Sequence, residues 1–575
     1  MKTVPIKKKN RLVAYFCMEM GFVNEIPTYS GGLGILAGDT IKAAADLAVP
    51  MVGVTMLNLK GYFRQKLDEW GNQTEEDLFW HPEDFMKLQK PVVSVKLEGK
   101  DIFIRAWEYI VKGVRGYQIP VYFLDTDFDR NEEYYRTLTH HLYGGDDRYR
   151  LLQEAVMGIG GIKILEELGY KNIRKYHMNE GHAAPLALEL LYRTRKDDMP
   201  PEKIETYDLE KVQRKCVFTT HTPVPAGHDK FNIDLVKSIF RETNHEHIPG
   251  ELLYDGMLNM TYLALKCSEF YNAVSKKHRD ISLEMFPGFD IHAITNGVHS
   301  LTWTSEPFKK LYDKYLPDWK LDPFTYLREA FEFPSEELWN VHMEAKKEFL
   351  DYVNKKNNSK MKPDVFTIGF ARRATGYKRA DLILSDPQRL VEIAKNAGPV
   401  QIVFSGKAHP KDPTGKDNIK KIFEVKKQLK DRISIEYLEN YDIKIGGLIT
   451  SGVDLWLNNP VRPLEASGTS GMKASHNGIP NLSVLDGWWI EGHIENLTGW
   501  SIGPKDHRIL KEQYHPEKDV FDLYNKLEYV IIPLFYNNRS QWIHMMKASI
   551  AINASFFNTY RMLQQYVSKA YFHHL

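Results

Sequence analysis

Cysteine is scarce: the 575 residues hold three, Cys17, Cys216 and Cys267, far apart in the chain. An odd count at such spacing excludes a disulfide framework and a clustered thiolate metal site, and it fits a reducing cytoplasm. An excess of one charge is missing too. Lys plus Arg total 76 against 75 for Asp plus Glu, a formal net charge of +1. No global field therefore draws the chain to nucleic acid or an acidic membrane, and any anion site must be local. No uninterrupted apolar run approaches the roughly 20 residues of a membrane span. The basic start MKTVPIKKKN leads into only a short apolar run, so neither signal peptide nor anchor is expected. Internal repeats and low-complexity tracts are absent. So are two catalytic signatures. Met472 precedes Lys473 and Ala474 follows it, which breaks the Gly-Lys-Ser/Thr triplet of a nucleotide-hydrolysing loop. HMNEGH, His177 to His182, has neither the HExxH nor the HxxEH zinc spacing, so no metal is expected.

What is present is a globular composition, 43% hydrophobic and 12% aromatic, in a chain long enough for two or three domains. Its most distinctive stretch is EASGTSGMK, Glu465 to Lys473. Gly468 and Gly471 permit positive φ and close backbone approach, while Ser467, Thr469 and Ser470 add hydroxyls, a combination that can cradle a phosphate. A lysine in an apolar pocket can lose its proton and form a Schiff base with pyridoxal phosphate, whose phosphate needs such a nest. The plain alternative is a flexible loop carrying a solvated lysine.

From the start, Leu12 to Phe16 leads into YSGGLGILAGD, residues 29 to 39, which reads as strand, glycine loop, helix. Gly31, Gly32 and Gly34 form the turn and Ile41 to Leu47 the helix, aiming N–H groups at a phosphate or sugar, unless the turn is purely structural. VGVTM, VVSVKL, IFIRAW and IPVYFLD recur between Val52 and Asp125, the last three as strands. Tyr149 to Gly169 reads helical. An apolar lead to His177, a helix Leu186 to Tyr192, a strand Cys216 to Thr220, a long helix Met260 to Lys277 and a strand ending at Asn296 follow. This alternation predicts an α/β sheet of parallel strands, with ligands beyond their carboxyl ends. Those ends carry HMNEGH, THTPVPAGHD (Thr220 to Asp229) and TNGVH (Thr295 to His299). One such histidine would be a satisfied core residue, whereas three histidine-bearing strand ends suit a polyhydroxyl ligand.

Residues 301 to 335 read as a connection. The strand Val365 to Ala371 then ends in ARRATGYKRADL, clustering Arg372, Arg373, Lys378 and Arg379 where a helix is expected to begin. Four cations there make a dianion site, against the alternative of a solvated basic turn. The strand Val400 to Ser405, a helix Asp417 to Leu429 and strands Ile433 to Leu438 and Val453 to Leu457 complete a second doubly wound sheet. Pro533 interrupts Tyr529 to Tyr536, and Trp542 to Tyr571 reads as closing helices.

With Asn477-Gly478 and Asp486-Gly487 behind it, EASGTSGMK resembles the pyridoxal-phosphate attachment sequence of the α-glucan phosphorylases. RRATGYKR resembles that family's phosphate signature, THTPVPAGHD its sugar-site histidine loop, TNGVH its Asn-Gly segment and YSGGLG its N-terminal glycine loop, in the family's order. The length points to the short bacterial and archaeal branch. The resemblance implies two doubly wound, Rossmann-like α/β domains facing a central cleft, the GT-B glycosyltransferase architecture. Residues 1–303 would bind glucan and 304–540 the cofactor, with 541–575 as C-terminal helices packing back toward the first domain. It implies pyridoxal phosphate on Lys473, with Gly468, Thr469, Tyr441, Arg372 and Gly32 around it. Arg373 and Lys378 would hold the substrate phosphate, and Gly31, Gly32 and Leu33 would close over it from the opposite domain. His221, Asn296, Tyr377, Glu465, Ser467, Gly468, Glu180 and His182 would form the sugar site, His221 counting with Lys473, Arg373 and Lys378 as catalytic.

Two departures touch the acceptor side: Arg372 stands where long members have lysine, and Thr375-Gly376 replaces their His-Glu pair. The implied reaction is retaining phosphorolysis of α-1,4-glucans to α-glucose 1-phosphate by a cytoplasmic homodimer, with neither nucleic acid nor membrane as partner. The cofactor's phosphate would exchange the proton, so the paired carboxylates of glycosidases are not required. A sugar-nucleotide glucan synthase shares the two-sheet architecture and a glycine loop but lacks the lysine. An inactive glucan-binding scaffold would have lost the lysine or the anion clamp.

Overall fold

The computed structural model describes residues 8–196, 199–224, 227–505 and 515–572. Residues 1–7 of the basic start, and Pro225 and Ala226 of the THTPVPAGHD run, lie outside these. Met51–Met56, Phe366–Ala371 and Val400–Ser405 are buried at every position, as parallel strands covered on both faces must be. The first sheet has ten strands. Its path runs His292–Ala293, Phe270–Ala273, Cys216–Thr219, Lys175–Asn179, Val13–Phe16, Met51–Met56 and Gln118–Asp125, all parallel neighbours. It then turns antiparallel at Lys100–Lys112, which makes this sheet mixed rather than purely parallel. The second sheet has six strands, in the order Ser434–Leu438, Val400–Ser405, Phe366–Ala371, Leu455–Asn458, Asn481–Val484 and Gly499–Ile502, and is parallel throughout. The chain is thus a mixed α/β protein.

Several sequence expectations need correction. The expected helix Met260 to Lys277 is two helices, Met260–Lys266 and Lys276–Met285, with the strand Phe270–Ala273 between them. Asn259 caps the first and Ser275 the second through their side chains, and Phe270, Asn272 and Ala273 are buried in the sheet. The following strand covers only His292–Ala293, short of Asn296. Gly32 and Gly34 form no loop: the helix begins at Gly32 and runs to Asp46, with Gly31 as its N-cap. This helix is small-residue-rich because it lies against backbone, and a Cβ on Gly38 would fall 1.9 Å from the Gly21 carbonyl oxygen. After Phe366–Ala371 the cations are followed by a short 3₁₀ turn, Gly376–Lys378, and the next α-helix starts only at Pro387. Residues 301–335 carry helical turns, including Glu306–Tyr315.

Two features tie the sheets together. The hairpin Arg64–Leu67/Gln73–Glu76 reaches from the first half onto the second. Gln65 donates to Gly406 O at 2.9 Å and accepts from Asn440 N at 2.9 Å, while Asn440 donates back to Gln65 O at 2.7 Å. Gln73 likewise bridges Ala408 N and O, at 3.0 and 2.9 Å. The closing helices return to the first sheet, where Tyr566 OH meets Thr219 and Asn272, each at 3.0 Å, and Tyr571 OH meets His177 Nδ1 at 2.7 Å. His177 is therefore a packed core residue.

Gln65→Ala leaves the Asn440 N–H without its partner and removes one of the two donors to the Gly406 carbonyl, Tyr437 OH being the other. We expect it to lower stability by about 1–3 kcal/mol, read from denaturant unfolding of the purified variant.

Candidate active site

The carboxyl ends of strands in both sheets open on one cavity of about 530 Å³. Every residue singled out above as catalytic, cofactor-binding or sugar-binding lines it. Lys473 lies on the one-and-a-half-turn helix Ser470–Ser475. Gly471 is required there, since a Cβ would fall 2.3 Å from Asn481 Oδ1, and Gly468 takes φ +74° to turn the chain into that helix. The Lys473 side chain is 4% exposed, and its Nζ lies 3.5 Å from the centroid of the Trp303 ring. Among the described residues it has neither a hydrogen-bond nor an ion-pair partner. Burial drives its pKa down to about 8, Asp39 opposing and Lys42 assisting. The carboxylate of Asp39 also accepts from the Trp303 indole at 2.7 Å, which fixes the ring over the amine.

The four cations separate into different roles. Arg372 Nη2 and Lys378 Nζ both reach Glu465 Oε2, at 2.7 and 2.5 Å, and Arg372 also donates to Asn458. Burial would raise the Glu465 pKa, but these two cations overcome it and hold the carboxyl at about 2. Arg379 does not belong to the anion site: in the left-handed region, at φ +49°, it turns away to Asn459 O, Pro460 O and Asp519. Arg373 is the most exposed of the four. It points across the cavity to the start of the glycine helix, where a Cβ on Gly31 would lie 2.8 Å from its Nη2. Glu19 holds that helix start, accepting from Ser30 N at 2.5 Å and Gly31 N at 3.3 Å, and from Tyr143 OH at 2.8 Å.

The opposite wall is neutral. Glu180, at φ +78°, accepts from Gly181 N, His221 N and Thr222 OH at 2.8–3.0 Å, which pins the turns after two neighbouring strands. His221 Nε2 meets Asn179 Oδ1 at 2.7 Å. Burial pushes the His221 and His182 pKa values down to about 3, so both imidazoles are neutral at physiological pH. Asn296 Oδ1 is buried with no partner, an open acceptor beside them. Among the described residues no group of His, Cys, Asp and Glu has the makings of a metal site.

The model of the family described as carbohydrate phosphorylase matches residues 199–499. Maltodextrin phosphorylase of Thermococcus litoralis is 40% identical over 97% of this chain and 70% of its own length. The chain belongs to the carbohydrate phosphorylase family. Glycogen phosphorylase of Aquifex aeolicus is 33% identical over 97% of this chain and 86% of its own, and that of Mycobacterium tuberculosis 32% over 97% and 70%.

This phosphorylase's cavity also holds Glu19, Tyr62, Tyr143, Arg150, Asp229, Trp303 and Lys407, which sequence reasoning passed over. Glu19 and Asp229 sat within reach of it, Glu19 just after the first strand and Asp229 at the end of THTPVPAGHD. Arg150, inside the helix Asp147–Ala155, carried no local signal.

The Lys473 shift has a definite sign. Its folded pKa of about 8 lies below the ordinary 10.5. Between those values the unfolded chain binds more protons, so stability rises with pH there, and the charged amine destabilises the fold below about 8. Lys473→Met should stabilise the cofactor-free protein at neutral pH by on the order of 3 kcal/mol at most. The gain should shrink as pH approaches 10.5. Thermal melts of both proteins across this range measure it.

Proposed function

We propose that the chain phosphorolyses α-1,4-glucans: inorganic phosphate takes the glucosyl unit at the nonreducing end with retention, reversibly, giving α-glucose 1-phosphate. The observation that carries this reading is the convergence of Arg373, the glycine-helix start and a partnerless buried lysine on one cavity with a neutral, hydroxyl-binding wall. The relatives' names, maltodextrin and glycogen phosphorylase, support the substrate class.

Pyridoxal phosphate fits the second sheet's side of this cavity. Lys473 is buried with a lowered pKa, as a covalent attachment point needs, and Gly468, Thr469, Tyr441 and Arg372 surround the space beside it. When bound there, its phosphate supplies a proton donor and acceptor next to the substrate phosphate. The protein's own groups do the rest. Arg373 and the N–H groups at Gly31 and Gly32 grip the substrate dianion, a charge-assisted arrangement reinforced by the helix start. Lys378, held by Glu465, adds a second cation that needs no reorganisation when charge develops. Neutral His221, Asn296, Tyr377 and Ser467 face sugar hydroxyls and orient the glucosyl ring, with His182 and Glu180 behind them.

The same reading includes two Rossmann-like domains, 1–303 and 304–540, in a GT-B arrangement with helices 541–575 returning to the first. It also includes a cytoplasmic homodimer. The two sheets support the two-domain division, and the three free buried cysteines fit a reducing compartment. Among the described residues no helix is long and apolar enough to cross a membrane.

Borohydride reduction and peptide mapping of the purified protein should place the cofactor adduct on Lys473. With maltodextrin as acceptor, glucose 1-phosphate should extend the chain and UDP-glucose or ADP-glucose should not. An adduct on a different lysine, or extension by a sugar nucleotide alone, overturns the reading.

A further inference from the structure

Behind the sugar wall lies a carboxyl group that the mechanism above does not use. Glu154, in the helix Asp147–Ala155, is fully buried, and neither of its carboxyl oxygens has a hydrogen-bond partner. Arg150 on the same helix comes within 3.3 Å of Glu154 Oε1 but is misaligned, because its Nη2 is committed to Asp229 Oδ2 at 3.2 Å. His182 Nε2 stands 3.4 Å from that same Asp229 oxygen. The guanidinium lies 4.7 Å over the ring of Tyr143, whose hydroxyl donates to Glu19. Glu154 and Asp229 thus flank one guanidinium, close enough to share a hydrogen bond once one of the two carboxyls carries a proton.

Two ionised carboxylates in contact, one of them fully buried and without a donor, are not a stable arrangement. A proton on Glu154 resolves it. The acid O–H then has an acceptor in Asp229, and the anion of Asp229 is balanced by Arg150. We propose that Glu154 is a positioning residue that stays in its neutral acid form and donates its O–H to Asp229. That shared proton fixes Asp229, Arg150 and His182 as one wall of the cavity. Burial, then Asp229, pushes the Glu154 pKa well above the usual carboxyl range. Burial opposes the charge on Asp229, but Arg150 holds its pKa low. Glu180 and His228 also feel the charge of Asp229. The wall so formed has no net charge, which suits glucan hydroxyls and leaves the phosphate to Arg373. What the wall contacts rests on the glucan reading above; where the proton sits does not.

The test compares wild type with E154Q, which keeps a neutral donor, and E154A, which has none. At about pH 9, above Asp486, whose raised pKa lies near 7, the wild-type infrared spectrum should contain a neutral-carboxyl C=O stretch that E154Q lacks, while any signal from Glu180, whose pKa burial also raises, is common to both. E154A should raise the KM for maltodextrin about tenfold with a smaller change in kcat and an unchanged KM for phosphate. E154Q should recover most of that loss. The proposal fails if the band is the same in wild type and E154Q, or if glutamine rescues no better than alanine. Should E154A not fold, the infrared comparison decides alone. Absence of any glucan phosphorolysis by wild type would sink the functional reading while leaving the infrared result to judge the proton.

Discussion

Arg372 and Lys378 lie in one wall of the cavity, and two buried cations there require an anion between them. Glu465 supplies it, accepting from both at hydrogen-bond distance. Removing one partner of such a buried group strands the others, which typically destabilises by about 3–5 kcal/mol. The sequence order EASG…K therefore serves two purposes. Its glutamate anchors the cations of the preceding turn, and five residues later its helix starts, presenting Lys473 to the same space. Glu19 does the equivalent on the first sheet, accepting from the Ser30 and Gly31 N–H groups. Each anion-binding element is thus preorganised by an internal carboxylate, and Arg373 is left to face the cleft.

The site divides by charge. On the proposed reading its phosphate side is cationic and held by carboxylates, while its sugar side carries the His221 and His182 imidazoles that burial keeps neutral beside the paired Arg150 and Asp229. Neutral donors and acceptors match hydroxyl groups without attracting the phosphate to the wrong wall. The buried lysine follows the same logic, since burial favours the uncharged amine that covalent attachment needs, even against the Trp303 face, which attracts the cation.

Much of the site could be read from the chain because parallel strands deliver ligand-facing residues to their carboxyl ends. His221, Asn296, Arg373 and the EASGTSGMK lysine all follow a strand, and all reach the cavity. What could not be read depends on tertiary contacts. Arg379 has the same local setting as its neighbours, and the distant Asn459, Pro460 and Asp519 turn it aside. Periodicity carries Met260 to Lys277 as one helix, yet the sheet edge beside Cys216–Thr219 draws Phe270–Ala273 into a strand. The glycines of YSGGLG signal close backbone approach, but whether they form a loop or open a helix is decided by Gly21 packing against Gly38. Gln65 and Glu154 show no pattern at all, because their partners lie 375 and 75 positions away.

The central claim is that phosphate, gripped from both sheets, receives the glucosyl unit. Phosphorus NMR of the purified protein with maltodextrin and inorganic phosphate tests it most directly. The account predicts a single new phosphate-ester signal, that of α-glucose 1-phosphate, growing as the phosphate signal falls. Free glucose or maltose appearing with the phosphate signal unchanged, or a β-configured ester, would contradict it.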